Sequence, residues 1–333
     1  MITQEDFNKH LNRILKPRPA KIAVAVSGGC DSMAMTLLCN EWAKQYNIEL
    51  VAITVDHNIR RNSAKEALLV HKWISSYNIN HIVLTYTGDV PKSNIEAEAR
   101  NYRYQMLFEY CAKNGIDYLC IAHNVDEQIE TFFLNLARGS GLYGLCAMPE
   151  LYTKQDIKLV RPMLRYSKDD IKKYLKSLKQ KWVEDPSNFD TRYKRVRIRN
   201  LKKLTKKLEL SNVRLCNTID NMQRVRNAID FFINELITKS TIEKDSNYIA
   251  LSTPLIYTYP EEIVIRALAK LLQDVSGKYY PARFDNLLNL YRAIMSKHLG
   301  KGMTLSHCKI SFHQGLIRIE KERTRGKKTA GKN

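Results

Sequence analysis

The chain has 333 residues, 44% of them hydrophobic and 26% charged. That is an ordinary globular composition with enough apolar mass for a packed core, so disorder over the whole length is excluded. No apolar run reaches the roughly 18 residues that a membrane helix needs, and the first residues lack the basic and apolar regions of a secretory signal. The seven cysteines show no CxxC spacing, which argues against a disulfide framework or a zinc ribbon and for a reducing cytoplasm. The net charge of +20 is uneven: residues 1–150 hold 15 Lys/Arg against 16 Asp/Glu, and residues 151–333 hold 39 against 18. A neutral first half suits small-molecule chemistry. A strongly basic second half suits a polyanion, nucleic acid ahead of an anionic membrane surface.

In chain order, residues 2–15 read as a helix with Phe7, Leu11 and Leu15 on one face. Continuous apolar runs at 21–26, 50–55, 81–86 and 117–122 read as strands. Helical patterns at 33–46, 62–76, 95–114 and 125–137 alternate with them. Strands that are apolar throughout, rather than at every second residue, are buried on both faces. The expected fold is therefore α/β, a twisted parallel sheet with helices on both faces. Beyond residue 185 the pattern turns helical and basic, with helices at 211–237, 261–273 and 281–297 and a closing hairpin over 303–320 around Gln314-Gly315. The expected domains are 1–205 (catalytic), 206–322 (mainly helical, closing with the hairpin) and a basic tail, 323–333, read as disordered.

Chemistry-bearing residues follow the strands, where parallel sheets bind ligands. Ser27-Gly28-Gly29-Cys30-Asp31-Ser32 lies between a strand and a helix. Two glycines let the backbone turn sharply and approach an anion, and the helix-start amides then point at it. Asp31 fits a phosphate nest only with a bridging cation, which implies Mg²⁺. The string has neither the Gly-Lys-Ser/Thr of a Walker loop nor the third glycine of a dinucleotide fingerprint. Asp56 and its neighbours follow the second strand. Arg100 and Arg103 share a helix face at i, i+3 and could both reach phosphate. His123 and three acids, Asp126, Glu127 and Glu130, open the next helix. Their mutual repulsion favours a bound cation, either Mg²⁺ or an ammonium group, and His123 could serve as acid, base or phosphate donor. No second His completes a zinc pair.

The Ser27–Ser32 string resembles the PP-loop of the N-type ATP pyrophosphatases, which split ATP into AMP and pyrophosphate while adenylating a substrate oxygen. VDHNIR (55–60), ARNYRY (99–104), AHNVDEQIET (122–131), RGSGLYGL (138–145) and EDPSN (184–188) occur in the order found in one group of that class. On these residues the chain resembles the tRNA(Ile)-lysidine synthetase family. It departs at Glu127, where the family carries a second Asp; the charge is kept and the reach is one methylene longer.

The resemblance implies a PP-loop ATPase fold, like that of the adenine nucleotide alpha hydrolases, with a basic second domain. It implies ATP held by Ser27, Gly28, Gly29, Cys30, Asp31, Ser32, Asp56, Arg138 and Gly139, with Mg²⁺ on Asp31 and neither zinc nor an iron–sulfur cluster. It further implies free L-lysine at Asp126, Glu127 and Glu130, with Asp31, His123, Arg100, Arg103 and the three acids forming the catalytic set. The polyanion becomes an isoleucine tRNA with a CAU anticodon. Its backbone would lie on the acid-free run from Arg192 to Lys207, which includes Lys194, Arg195, Arg197, Arg199, Lys202 and Lys203. A PP-loop tRNA thiolation enzyme and an ATP-gated RNA-binding protein remain as alternatives, and the oligomeric state stays open, a homodimer included.

Overall fold

The computed structural model describes residues 2–56, 63–88, 95–184, 209–278 and 282–322. They belong to two compact units, residues 1–223 and 224–333. The expected boundary at 205/206, His57 to Arg60, most of EDPSN, the basic run from Arg192 to Lys207 and the tail 323–333 lie outside the described residues.

In the first unit, α1 (Gln4–Ile14) precedes β1 (Lys21–Ala25), α2 (Cys30–Gln45), β2 (Glu49–Asp56), α3 (Ser63–Ser75) and β3 (Asn80–Thr85). Then come α4 (Ile95–Lys113), β4 (Tyr118–Cys120), α5 (Val125–Leu136), the single turn α6 (Leu142–Leu145), β5 (Leu151–Lys154), β6 (Ile157–Val160) and α7 (Lys168–Ser177). The sheet order is β3-β2-β1-β4-β6-β5. All neighbours are parallel except β5, which returns antiparallel on β6 as an edge strand.

The apolar runs divide between two cores because strand side chains alternate faces. Ile22, Val24, Leu50, Ala52 and Cys120 pack on one side with α1, α2 and α7. Ala23, Val51, Ile53, Leu119 and Ile121 pack on the other with Leu107, Phe108 and Cys111 of α4. Each fully buried Ile or Leu contributes roughly 1.5–3 kcal/mol, so both faces of the sheet need their helices.

Helix α8 (Asn212–Ser240) begins in the first unit, where Leu215 and Ile219 pack on Val125, Ile129 and Phe132 of α5. The second unit continues with β7 (Thr241–Lys244), β8 (Tyr248–Ser252), α9 (Pro254–Thr258), α10 (Glu261–Ser276), α11 (Phe284–Met295), β9 (Met303–Leu305), β10 (Cys308–His313) and β11 (Leu316–Lys321). The hairpin turns at Gln314 and Gly315, both at positive φ (49° and 79°), the geometry that suits the twist of paired strands. The unit is helical as expected. The hairpin, however, belongs to a five-stranded antiparallel sheet, β7-β8-β11-β10-β9, whose first two strands are not among the expected elements.

Candidate active site

A ligand site is expected where the strand order of a parallel sheet reverses. Here the chain winds from β1 outward to β2 and β3, then lays β4 on the other side of β1. The reversal falls between β1 and β4, and the turns that follow them carry Asp31 and Asn124.

After β1 the backbone passes through Gly28 at φ +85°. A Cβ there would lie 2.5 Å from Val70 Cγ2 and 3.3 Å from Val183 Cγ2, so sterics and dihedral both require glycine. The Gly28 carbonyl accepts from Val183 N–H at 2.9 Å, which ties the strand–helix turn to the segment after α7. Gly29 caps α2 with no side chain, leaving the first-turn amides to another partner. Ser32 is buried. Its Oγ accepts from Ser27 N–H at 3.1 Å, donates to Gly29 O at 3.0 Å and lies 3.2 Å from Ser27 Oγ. The two serines that the resemblance places on ATP therefore bond to one another and to the loop itself. Cys30 is buried, and desolvation, reinforced by Asp31, pushes its thiol up to about 11. Of Cys30, only the backbone suits a nucleotide.

After β4, Asn124 is buried and donates from Nδ2 to Asp31 Oδ1 at 3.0 Å, a bond that spans the switch point. The same residue caps α5: its Oδ1 accepts from Glu127 N–H at 3.0 Å, and Glu127 Oε2 accepts from Asn124 N–H at 3.2 Å. This is a reciprocal capping box, and the extra methylene of glutamate gives the carboxylate the reach to close it. Asp126 Oδ2 accepts from the N–H of Lys168, the first residue of α7, at 2.9 Å. Two of the three acids thus hold helix starts together with one oxygen each. Glu130, one turn on from Asp126, is buried.

His123 Nδ1 accepts from Arg161 Nε at 3.2 Å. Arg161, at the end of β6, is also buried and donates from Nη1 to Pro149 O at 2.8 Å. Asp56 is buried at the end of β2, on the same edge of the sheet. On α4, Arg100 and Arg103 share the face expected of them; their guanidinium carbons lie 5.5 and 5.4 Å from the Tyr104 ring centroid. Arg138 and Gly139 follow the carboxyl end of α5, Gly139 at φ +67°.

Asn124 and Arg161 are positions at the site whose role no motif in the sequence marks out. Asn124 was legible as an N-cap, with a Glu three residues on. Arg161 offers only the faint signal of a lone arginine ending an apolar strand. Among the described residues no three His, Cys, Asp or Glu side chains group as a metal cage. Asp31, a single hard oxygen donor at a helix start, still fits a Mg²⁺ held chiefly by phosphate oxygens and water.

A glycine turn with an uncapped helix at the switch point of a parallel sheet is the architecture of the PP-loop ATP-binding class, and residues 3–208 match the family model described as a PP-loop domain. A tRNA(Ile)-lysidine synthase from Wolbachia pipientis is 36% identical over 307 residues, covering 92% of this chain and 71% of its own. One from Ruegeria pomeroyi is 32% identical over 283 residues, covering 85% and 67%. The chain belongs to the tRNA(Ile)-lysidine synthase family and is an ATP-dependent ligase of tRNA modification. Among solved structures, the U34-tRNA thiolase NcsA of Methanococcus maripaludis, with its [4Fe-4S] cluster, superposes with a TM-score of 0.57. It is 21% identical and covers 67% of this chain and 76% of its own, a likeness of fold. No helix among the described residues is long and apolar enough to cross a membrane.

Proposed function

We propose that the protein joins free L-lysine to C2 of the wobble cytidine of an isoleucine tRNA with a CAU anticodon, giving lysidine, AMP and pyrophosphate. The C2 oxygen attacks the α-phosphorus of ATP and pyrophosphate leaves. The lysine Nε then attacks C2, its proton is lost, and AMP departs with the oxygen. The single observation that carries this reading is the Asp31–Asn124 bond at the switch point, which sets a carboxylate beside the uncapped start of α2 in a chain of this family.

Backbone amides of residues 28–32 bind and orient the phosphates. Mg²⁺ on Asp31 supplies neutralising charge to the pyrophosphate when bound. Asn124 fixes the Asp31 carboxylate. Asp126, Glu127 and Glu130 supply the negative field that attracts the lysine ammonium, whose reference pKa of about 10.4 requires a proton acceptor before attack. Arg100, Arg103 and His123 face the charge that develops on phosphate oxygens. The run from Arg192 to Lys207 holds the tRNA backbone, and the anticodon loop offers the cytidine unpaired. Cytoplasmic residence follows from such a substrate.

Thiolation by this chain would call for a reactive thiolate. Burial instead pushes Cys111 up to about 12 and Cys216 up to about 11, and raises Cys39 and Cys308, which leaves these thiols protonated at neutral pH. The test is incubation with ATP, Mg²⁺, tRNA transcript and labelled lysine, followed by nuclease digestion. A lysine-bearing cytidine is expected, and AMP release without label in the RNA would refute the proposal.

A further inference from the structure

We propose that Arg161 is a positioning residue that locks His123 as the neutral tautomer protonated on Nε2, making the ring a fixed hydrogen-bond donor rather than a proton shuttle. The inference rests on the functional reading above and narrows it. A guanidinium has five N–H donors and no acceptor. Its Nε–H meets His123 Nδ1 at 3.2 Å, so that nitrogen must present a lone pair and the ring's proton sits on Nε2. An imidazolium, or the other neutral tautomer, would turn an N–H toward an N–H.

Arg161 is held in place to do this. Its Nη1 donates to Pro149 O at 2.8 Å and its backbone N–H donates to Glu150 O at 2.8 Å. It is 9% exposed, so water competes poorly for the guanidinium. His123 is anchored too: its N–H donates to Ile121 O at 3.0 Å, and the next residue is Asn124, which holds Asp31. The ring's orientation and proton position are therefore set by the protein itself. An Nε2–H so defined is the kind of donor that a phosphate oxygen accepts as charge builds on it.

The experiment begins with the wild-type protein labelled with ¹⁵N in its histidine rings, the His123 signals being assigned by loss in His123→Ala. The expected pattern at neutral pH is a pyridine-type Nδ1 and a protonated Nε2; a protonated Nδ1 overturns the proposal. Arg161→Met should mix the tautomers and slow tRNA-dependent ATP–pyrophosphate exchange by about 100-fold in kcat, with KM for ATP within about threefold. Arg161→Gln, which keeps an N–H donor, should recover part of the rate. In a His123→Ala background Arg161→Met should add less than about twofold, because the arginine acts through the ring. Full additivity would mean that Arg161 acts by itself and would overturn the assignment. Absence of exchange in the wild-type protein would sink the ligase reading alone, since the tautomer is read without turnover.

Discussion

The turn from β1 into α2 and the turn from β4 into α5 leave neighbouring parallel strands, yet their helices begin in opposite ways. Helix α2 starts on a bare glycine with no side-chain cap, and the nearby serines stitch the loop to itself. Helix α5 starts inside a complete capping box, with the adjacent Asp126 spent on the start of α7. The first end leaves amides for an external anion; the second satisfies its own amides and gathers carboxylates. Each alone would be unremarkable local structure. Joined by Asn124 and Asp31, they set an open helix start beside a group of carboxylates, the pair of ends that the proposed reading gives to phosphate and to an ammonium group.

The largest effect should come from the joint itself. Asp31→Ala should cut AMP formation by about 10³-fold while tRNA affinity, measured by filter binding, changes less than about twofold. A parallel loss of tRNA binding would show that the loop and the RNA surface are not separate. Gly28→Ala tests the open end. Positive φ and the Val70 contact should cost about 1–3 kcal/mol of stability and about 10²-fold in exchange, read by thermal unfolding and kinetics. A neutral substitution would remove the steric basis of the loop.

Glu130→Gln sharpens the acidic end. It should raise KM for lysine about tenfold or more while adenylation, followed by pyrophosphate release, stays within about threefold; equal falls in both steps would dissociate Glu130 from the amine. Asn124→Ala removes both cap and bridge, with about 1 kcal/mol lost from the cap and a rise in the Mg²⁺ concentration needed for half-maximal activity. The smallest effect is expected of Cys30→Ser. A thiol pushed up to about 11 by burial carries no thiolate at neutral pH, so activity there should stay within about twofold and resist alkylating reagents.

Much of this was legible in the residues. Runs such as Ile22–Val24 could only be strands buried on both faces, and that dictated the parallel sheet. β7 and β8 were not legible, because four- and five-residue strands beside a long helix carry too little periodicity. At the site, the sequence showed which residue types collect after which strand, but not which of their atoms the fold already uses. Ser32, Asp126 and Glu127 look like ligands in a string of letters, while in space each closes a hydrogen bond of its own. Arg161 needed the tertiary fold, since nothing in IKLVRP announces a histidine partner.

The bond from Val183 to the Gly28 carbonyl has a thermodynamic corollary. Val183 stands only nine positions before Arg192, so the residue that bonds the glycine turn lies close in sequence to the most basic stretch of the chain. Were a polyanion to bind that stretch and shift the turn, nucleotide affinity would change with it. Any resulting change in nucleotide affinity must return, by reciprocity, as an equal change in polyanion affinity. The order in which the two substrates arrive is then a matter of rates and concentrations, with the same ternary free energy reached by either route.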